Sequence, residues 1–151
     1  MKICFDTCAV IDIAGQSAWF EDAYISYDLA QIRRDDVYLS IHSTADIDYV
    51  LHRRGMSKTQ AREGVALALQ MFDVIDLIPA DADSALQSEM PDYEDALIAF
   101  SAQRAGIDLI LTRDEGFRNS PVPVMTPAEF VKRYCPENYH YETIDLSVQD
   151  A

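Results

Sequence analysis

The sequence predicts an α/β protein, a three-layer α/β/α sandwich with a central parallel sheet of about five strands. Short apolar segments alternate along the chain with longer segments of helical apolar spacing, the pattern of a parallel sheet with helical crossovers. The segment at residues 107–112 carries only one charged residue, as expected for a strand buried on both faces. A chain of 151 residues that is 49% hydrophobic is long enough to form one domain with a sizeable core.

The elements follow one another in a regular strand-and-helix order. Strands are predicted at residues 2–5, 37–41, 74–78, 107–112 and 122–125. Helices are predicted at residues 8–14, 17–34, 43–55, 57–72, 81–87, 92–105 and 126–131. Ser57 and Gln60 have the spacing of a capping box, and Ser43 is a candidate N-cap for a helix that carries Asp46 in its first turn. Gly106 is the expected left-handed stop of the sixth helix.

The domain is expected to occupy residues 1–133, with residues 134–151 as a C-terminal extension that packs loosely or contacts a partner. No apolar run approaches the roughly 20 residues that span a bilayer, and no signal peptide is recognisable, so we expect a cytoplasmic protein without membrane contact. The spacing of the cysteines indicates neither a disulfide framework nor a zinc site; these are Cys4, Cys8 and Cys135.

The chain is strongly acidic, with 26 acidic and 12 basic side chains and a formal net charge of −14. Binding to a polyanion requires basic residues, so this charge predicts either that the acids hold cations or that the partner is basic. Many of the basic residues are clustered in one part of the chain: His52, Arg53, Arg54, Lys58 and Arg62. A local positive patch is therefore expected on an acidic body.

Acidic residues occur where the predicted strands end and the predicted helices begin. Asp6 and Asp114 follow strands, whereas Asp46 and the group at residues 92–95 open helices. Ligands of open α/β sheets bind beyond the carboxyl ends of the strands, so we expect these acids to converge there. Carboxylates about 5 Å apart repel by roughly 3 kcal/mol per pair at an effective dielectric constant of 20. Such a cluster needs a cation or a proton, and oxygen ligands alone favour Mg²⁺ or Mn²⁺, which can polarise a phosphoryl oxygen during phosphodiester hydrolysis.

Several of these acids also have a purely structural explanation. Helix capping alone accounts for Asp92, and Asp95 at the third helical position can complete a capping box. Glu94 is typical of a solvated acid in a first helical turn. Asp114 can act as a turn former, although its position directly after a buried strand favours a site.

Other polar side chains near these acids are weaker candidates. Thr7 and Thr112 can donate or accept hydrogen bonds beside a metal, but β-branched residues are also common at strand ends. The histidines have no partners at ligand spacing and are predicted to be structural or exposed: His42, His52 and His140.

Four segments of the chain match known motifs: Phe-Asp-Thr at residues 5–7, Thr-Ala-Asp-Ile-Asp-Tyr-Val-Leu at 44–51, Asp-Tyr-Glu-Asp-Ala-Leu at 92–97 and Leu-Thr-Arg-Asp at 111–114. Together with Phe117 and the Pro-Val-Pro-Val segment at 121–124, they resemble PIN domains, especially those of VapC toxins and their relatives. The resemblance covers residues 2 to about 131, and the segments at 92–97 and 111–114 are its most specific part.

The resemblance implies a magnesium- or manganese-dependent ribonuclease, often the toxin of a toxin–antitoxin pair and often a homodimer. By position, the acids that match the acidic quartet of the family are Asp6, Asp46, Asp95 and Asp114, with Asp92 as an adjunct. Two positions depart from the pattern. Cys8 replaces the usual asparagine, and a thiol is a poor substitute for the hydrogen bonds of an amide. The second acid is an aspartate where the toxins commonly have glutamate.

Three hypotheses follow. The first is a metal-dependent RNA endonuclease in which water attacks phosphorus and Arg53, Arg54 or Arg113 contacts phosphates. The second is a PIN-fold binding module of weak or no activity that acts through protein contacts, which the altered position of Cys8 favours. The third is a phosphoryl-transfer or receiver-type domain, but the chain lacks the Asp-x-Asp pair of one such class because Cys8 follows Asp6 and Thr7.

Overall fold

The computed structural model describes residues 1–140 and contains a five-stranded parallel sheet between two layers of helices, so the predicted fold class is confirmed. The strands are β1 (Lys2–Phe5), β2 (Asp36–Ser40), β3 (Asp73–Ile75), β4 (Leu109–Leu111) and β5 (Val124–Met125). The helices are α1 (Thr7–Ala14), α2 (Phe20–Arg33), α3 (Ile41–Arg53), α4 (Lys58–Met71), α5 (Pro79–Gln87), α6 (Tyr93–Arg104) and α7 (Pro127–Tyr134). A single 3₁₀ turn occupies Glu115–Phe117.

The sheet has the strand order β3-β2-β1-β4-β5, with every neighbouring pair parallel. β1 lies at the centre, and its residue Phe5 is in register with Leu111 of β4. The chain builds outward from β1 to β3 on one side and then from β4 to β5 on the other. The carboxyl ends of β1 and β4 therefore flank the topological switch point, where open α/β sheets bind ligands.

Two hydrophobic clusters cover the two faces of the sheet. Ile3 and Phe5 of β1 belong to the cluster that packs against α1, α2, α3, α4 and α7, whereas Cys4 between them belongs to the cluster under α5 and α6. This alternation follows from the pleat of a strand, which points successive side chains to opposite faces. Because both faces of β1 are buried, its residues Ile3, Cys4 and Phe5 are all apolar and inaccessible.

Helix α3 begins earlier than predicted, and this moves Asp46 relative to the helix start. Ser40 is the N-cap, because its hydroxyl accepts the backbone N–H of His42 at 3.2 Å, and Ile41 is the first helical residue. Ser43, the predicted N-cap, is instead buried inside the helix. Asp46 consequently lies in the second turn of α3, and its predicted place in the first turn is wrong.

Strand β3 ends at Ile75, three residues earlier than predicted, because the backbone that follows forms hydrogen bonds with side chains. Arg104 donates to the backbone carbonyl of Asp76 at 2.7 Å, and the backbone N–H of Ile78 donates to the Asp81 carboxylate at 2.9 Å. Pro79 was expected to end the strand, but it is the first residue of α5. A proline fits this position because the first helical N–H has no intrahelical partner.

Other predicted boundaries are confirmed or shifted for local reasons. The capping box of Ser57 and Gln60 is present at the start of α4, with both reciprocal hydrogen bonds formed. Helix α2 starts three residues later than predicted, since Ser17 accepts the backbone N–H of Trp19 in a turn. Gly106 has a φ of 73° directly after α6, as expected for a left-handed helix stop.

The described part of the C-terminal extension contacts the domain. Tyr134 is the last residue of α7, and the Arg33 guanidinium lies 4.1 Å from the centre of its ring. Tyr139 donates a hydrogen bond to Asp28 of α2. The remainder of the predicted extension, residues 141–151, lies outside the described residues. Within residues 1–140, no helix combines the length and the apolar character needed to cross a bilayer.

Candidate active site

The centre of the candidate site is Asp6, directly after β1. Its side chain is only 3% exposed, and its Oδ2 accepts the hydroxyl of Thr112 at 2.8 Å and the thiol of Cys8 at 3.5 Å. Thr112 directly follows β4, so the parallel pairing of β1 with β4 brings Asp6 and Thr112 side by side. The backbone N–H of Thr7 also donates to the Asp6 carboxylate.

Asp92 and Asp95 come from the N-terminus of α6. Asp92 caps the helix by accepting the backbone N–H of Asp95 at 3.0 Å, as predicted. The Asp95 side chain does not complete a capping box. Among residues 1–140 its Oδ2 is the one buried side-chain oxygen or nitrogen that has no hydrogen-bond partner. This oxygen lies against Gly116, where an added Cβ would overlap it.

Asp114 is placed by the turn after β4. Its backbone N–H donates to Thr112 Oγ1 at 2.9 Å, and its Oδ1 accepts the backbone N–H of Gly116 at 2.8 Å. Asp114, Asp92 and Gly116 line an open cavity of about 710 Å³ together with Arg118. The cavity therefore presents three exposed carboxylates, those of Asp92, Asp114 and Glu115, and one arginine next to the buried Asp6 and Asp95.

Burial and mutual repulsion raise the pKa of the buried carboxyl groups. Loss of hydration on burial, followed by the charges of Asp6, Asp114, Asp92 and Glu94, raises the pKa of Asp95 from 3.8 to about 8. Burial also raises the pKa of Asp6 to about 6, even though its hydrogen bonds act in the opposite direction. The centre thus favours a proton or a cation over a full set of free charges.

Asp46 belongs to an adjoining group with His42 and Glu94. His42 Nε2 lies 2.9 Å from Glu94 Oε1 and 3.5 Å from Asp46 Oδ2, and one ligand atom from each residue falls within 4.8 Å of the others. Burial, the hydrogen bond to Glu94 and the charges of Glu94 and Asp6 raise the pKa of Asp46 to about 6, although His42 opposes the shift. The prediction that His42 has no partner at ligand spacing is wrong.

Comparison with known proteins identifies the family. The sequence profile of the PIN domain matches residues 2–116, most of the chain. The chain belongs to the PIN domain family. No match was found among curated protein sequences.

Solved structures share the fold of this PIN domain at low sequence identity. VapBC2 of Rickettsia felis, bound to a promoter DNA fragment, has a TM-score of 0.66 and 15% identity, with 83% of this chain and 98% of that chain covered. VapC20 of Mycobacterium tuberculosis, described as a toxin that cleaves the sarcin-ricin loop, has a TM-score of 0.63 and 16% identity, covering 80% and 95%. A toxin–antitoxin complex from Klebsiella pneumoniae has a TM-score of 0.62 and 21% identity, covering 83% and 97%.

Of the arginines predicted to contact phosphates, Arg113 lies beside the acids but its guanidinium is engaged in an ion pair, whereas Arg53 and Arg54 lie at a distance. Arg113 binds both carboxylate oxygens of the buried Asp12 at 2.8–3.0 Å, and its guanidinium lies 4.8 Å from the ring centre of Trp19. Arg53 is the last residue of α3 and Arg54 follows it. Arg53 is therefore about two helical turns, or about 10 Å along the helix axis, from Asp46. Their role as phosphate contacts stays a prediction that this geometry does not support.

Arg118 is the basic residue that the sequence reasoning missed. It lines the cavity with Asp92 and Asp114, it is exposed, and it forms no ion pair within the described part of the chain. Thr7, a predicted neighbour of the site, directs its hydroxyl to Ser43 Oγ at 2.7 Å and so joins α1 to α3.

The chemistry of these oxygen donors suits a divalent cation, whereas the ligand atoms that lie within 4.8 Å of one another among residues 1–140 are those of His42, Asp46 and Glu94. Asp6, Asp95 and Asp114 repel one another, and the unpartnered Asp95 Oδ2 is buried where no protein donor among residues 1–140 reaches it. Hard oxygen ligands of this kind suit Mg²⁺ or Mn²⁺. The assignment of the predicted acids as metal ligands stays a prediction.

Proposed function

We propose that this PIN domain is a divalent-metal-dependent endoribonuclease that hydrolyses RNA phosphodiester bonds, and that it is the toxin of a type II toxin–antitoxin pair or a relative of such toxins. Membership of the PIN domain family supports the proposal. The observation that carries it is the buried, unpartnered Asp95 Oδ2 at the switch point of the sheet, in the field of Asp6 and Asp114. An isolated carboxylate oxygen is unfavourable there unless a cation or a proton binds to it.

We assign Asp6, Asp95 and Asp114 as the residues that hold Mg²⁺ or Mn²⁺, with Asp92 and Asp46 beside them. When bound, such an ion supplies positive charge that offsets the charge developing on the phosphodiester. Thr112 holds the Asp6 carboxylate in place through its 2.8 Å hydrogen bond. Asp92 fixes the first turn of α6 and thereby the position of Asp95.

The open cavity next to these acids suits a strand of RNA. Arg118 is its basic lining residue and is free of ion pairs within residues 1–140, so we assign it to a backbone phosphate. The net charge of −14 opposes RNA binding at long range, which makes the bound cation and Arg118 necessary for approach.

An antitoxin and a second copy of the chain are the proposed protein partners. One of the similar structures described above, from Klebsiella pneumoniae, is a toxin–antitoxin complex. The acidic character of this chain fits an antitoxin segment with basic residues, because opposite charges steer association. Copurification of the chain with the product of a neighbouring small reading frame, together with the mass of the free protein in solution, tests both partners.

The nuclease proposal is tested on a pool of synthetic single-stranded RNAs of randomised sequence, with cleaved ends read by sequencing. We expect cleavage in Mg²⁺ or Mn²⁺, none in EDTA, and loss of cleavage in Asp95→Asn. Asp83→Asn is the matched control, since Asp83 is exposed on α5 and makes the same change in charge outside the site. Absence of metal-dependent cleavage by the wild-type chain, or undiminished cleavage by Asp95→Asn, contradicts the proposal.

A binding module without strong catalytic activity is the alternative. The observation that favours it is the ion pair of Arg113 with Asp12, which leaves few basic side chains beside the acids to hold RNA. Calorimetric titration with Mn²⁺ separates the two functions. Binding that is lost in Asp95→Asn supports the nuclease, whereas no heat of binding at millimolar Mn²⁺ supports the module.

A further inference from the structure

Trp19 is the one tryptophan of the chain, and it is 53% exposed directly before α2. Tryptophan is highly buried on average in folded proteins. A single exposed apolar side chain needs no explanation by itself. Trp19 differs from the other exposed apolar residues in two respects, namely the contacts that hold it in place and its position beside the acids.

A network around the buried Asp12 holds both the backbone and the ring of Trp19. The Ser17 hydroxyl donates to Asp12 at 2.6 Å and accepts the backbone N–H of Trp19 at 3.1 Å. Asp12 is only 2% exposed and also accepts the guanidinium of Arg113, which lies 4.8 Å from the centre of the Trp19 ring. A ring that is already held in this way loses little conformational freedom when a ligand binds to it.

Two cavities meet at Arg113. The smaller one, of about 140 Å³, is lined by Trp19, Arg113 and the start of α7 at residues 126–128. The larger one, of about 410 Å³, is lined by Arg113, Asp114 and Glu115. The side chain of Arg113 therefore connects the acids of the candidate site with the ring of Trp19.

The smaller cavity has the size of one aromatic ring. A protein cavity of about 150 Å³ holds a benzene molecule, and this one has about 140 Å³. Its wall at the start of α7 is fixed by the capping box of Thr126 and Glu129 and by the Ser26 hydroxyl, which donates to the Pro127 carbonyl at 3.1 Å. A planar group can thus lie against Trp19 without a rearrangement of the backbone.

An unpaired nucleobase is the planar group that RNA brings to this position. Bases of single-stranded RNA stack on aromatic side chains, and stacking does not require a basic surface. The net charge of −14 disfavours phosphate contacts, so stacking carries a larger share of the affinity here than in a basic protein. We infer that Trp19 is a base-stacking residue that holds an unpaired base of the RNA beside the cleavage site, an inference that rests on the proposed function because it takes RNA as the substrate.

The fluorescence of Trp19 tests the inference directly, because no other tryptophan contributes to the emission. The probe is a single-stranded RNA of alternating cytidine and adenosine, which does not pair with itself, added to the full chain in Ca²⁺. We expect the RNA to quench the emission and to protect Trp19 from acrylamide. An abasic oligonucleotide of the same length is expected to do neither.

Three variants separate stacking from a structural role, with RNA affinity measured by fluorescence anisotropy of the labelled strand. We expect Trp19→Leu to weaken binding by about fivefold or more and Trp19→Phe to retain most of the affinity, because phenylalanine can still stack. Tyr134→Leu is the matched control and is expected to bind RNA as the wild type does. Circular dichroism of each variant establishes that it is folded.

Tyr134 suits this comparison because its surroundings repeat those of Trp19. Arg33 pairs with the buried Asp35 at 2.8 Å, and its guanidinium lies 4.1 Å from the centre of the Tyr134 ring. Arg33 is the last residue of α2, whereas Trp19 precedes the first, so the two aromatic residues are held at opposite ends of a helix about 20 Å long.

Several results overturn the inference. They are RNA that binds without quenching Trp19, equal quenching by the abasic strand, equal RNA affinities of Trp19→Leu and Tyr134→Leu, and quenching by a copurifying protein but not by RNA. The last result assigns the ring to a protein contact instead.

These outcomes are separate from those of the nuclease test. If metal-dependent RNA cleavage is found but RNA does not quench Trp19, the proposed function stands and the role of Trp19 is refuted. If quenching requires the bases but no RNA is cleaved in Mg²⁺ or Mn²⁺, the stacking site stands and the proposed function is refuted.

Discussion

Replacement of Asp95 by asparagine removes one negative charge from the centre of the candidate site and changes the side-chain size little. In the metal-free protein, burial and the neighbouring acids raise the pKa of Asp95 to about 8, so its ionisation opposes folding. We therefore expect Asp95→Asn to be more stable than the wild-type chain when metal is absent and pH is high. Asp83→Asn, with the same change in charge at an exposed position, is the control.

The sign and the size of the effect follow from the pKa of the folded and the unfolded chain. The folded pKa of about 8 lies above the ordinary value of 3.8, so the folded state binds more protons between these values. The contribution of protonated Asp95 to the free energy of unfolding is fully present below pH 4 and is lost as the pH rises towards 8. A shift of one pKa unit corresponds to about 1.4 kcal/mol. Solvent near the exposed Asp92 and Asp114 screens the interaction, and we expect a loss of about 2 kcal/mol by pH 8.

Thermal unfolding of both proteins in EDTA at pH 5, 6.5 and 8 measures this effect. A difference of about 2 kcal/mol gives Asp95→Asn a Tm about 4–8 °C above the wild-type value at pH 8, with little difference at pH 5. Mn²⁺ at 100 times its Kd then stabilises the wild-type chain by about 2.7 kcal/mol and leaves the variant unchanged. A variant that is no more stable than Asp83→Asn in EDTA at pH 8, or that gains as much from Mn²⁺ as the wild type, refutes the reasoning.

Three further substitutions test other parts of the site. Arg118→Gln is expected to weaken RNA binding and to lower the slope of log affinity against log salt by about one, as measured by fluorescence anisotropy with labelled RNA in Ca²⁺. Arg62→Gln is the control, because Arg62 is exposed on α4. Equal slopes for Arg118→Gln and the wild-type chain exclude a phosphate contact of Arg118. Gly116→Ala places a methyl group on the unpartnered carboxylate oxygen and is expected to lower Mn²⁺ affinity by about tenfold or more. Equal Mn²⁺ affinities of Gly116→Ala and the wild-type chain in calorimetry contradict the close packing of Gly116 against Asp95 Oδ2. Arg113→Gln leaves the buried Asp12 without its ion-pair partner, although the Ser17 hydroxyl still donates to it, and is expected to cost about 3 kcal/mol in urea unfolding. A loss of RNA binding that exceeds this loss of stability argues for a direct substrate role of Arg113.

The fold and the centre of the site could be predicted because their signals are local. Asp6 and Asp114 each follow an apolar strand, and parallel strands bring such residues to one edge of the sheet. The cap at Asp92 and the left-handed stop at Gly106 depend on residues within a few positions of each other. The same short-range pattern places Asp95 one turn into α6.

The remaining features depend on contacts between distant elements. Ser40 and Ser43 are equivalent as N-caps in the sequence, and only the end of β2 decides between them. His42 and Glu94 meet because α3 and α6 start at the same edge of the sheet, although the spacing of His42 and Asp46, four residues apart on one helix, was an available signal.

Contacts between distant elements also explain why the positions of the arginine side chains could not be predicted. The sequence places Arg113 beside Asp114, but the fold turns its guanidinium to Asp12, about a hundred residues earlier in the chain. Arg118 carries no motif, and its position in the cavity follows from the 3₁₀ turn at Glu115–Phe117. Side-chain direction over such distances is set by packing, which residue spacing does not encode.

The location of one divalent ion tests the central claim most directly. Crystals grown or soaked in MnCl₂ and measured near the manganese absorption edge give an anomalous map in which the ion is identified without reference to the protein atoms. We expect a peak at coordination distance from carboxylate oxygens of Asp6, Asp95 and Asp114. A map without a peak there, with Asp95 Oδ2 paired to a protein donor instead, contradicts the claim that these acids form a cation site.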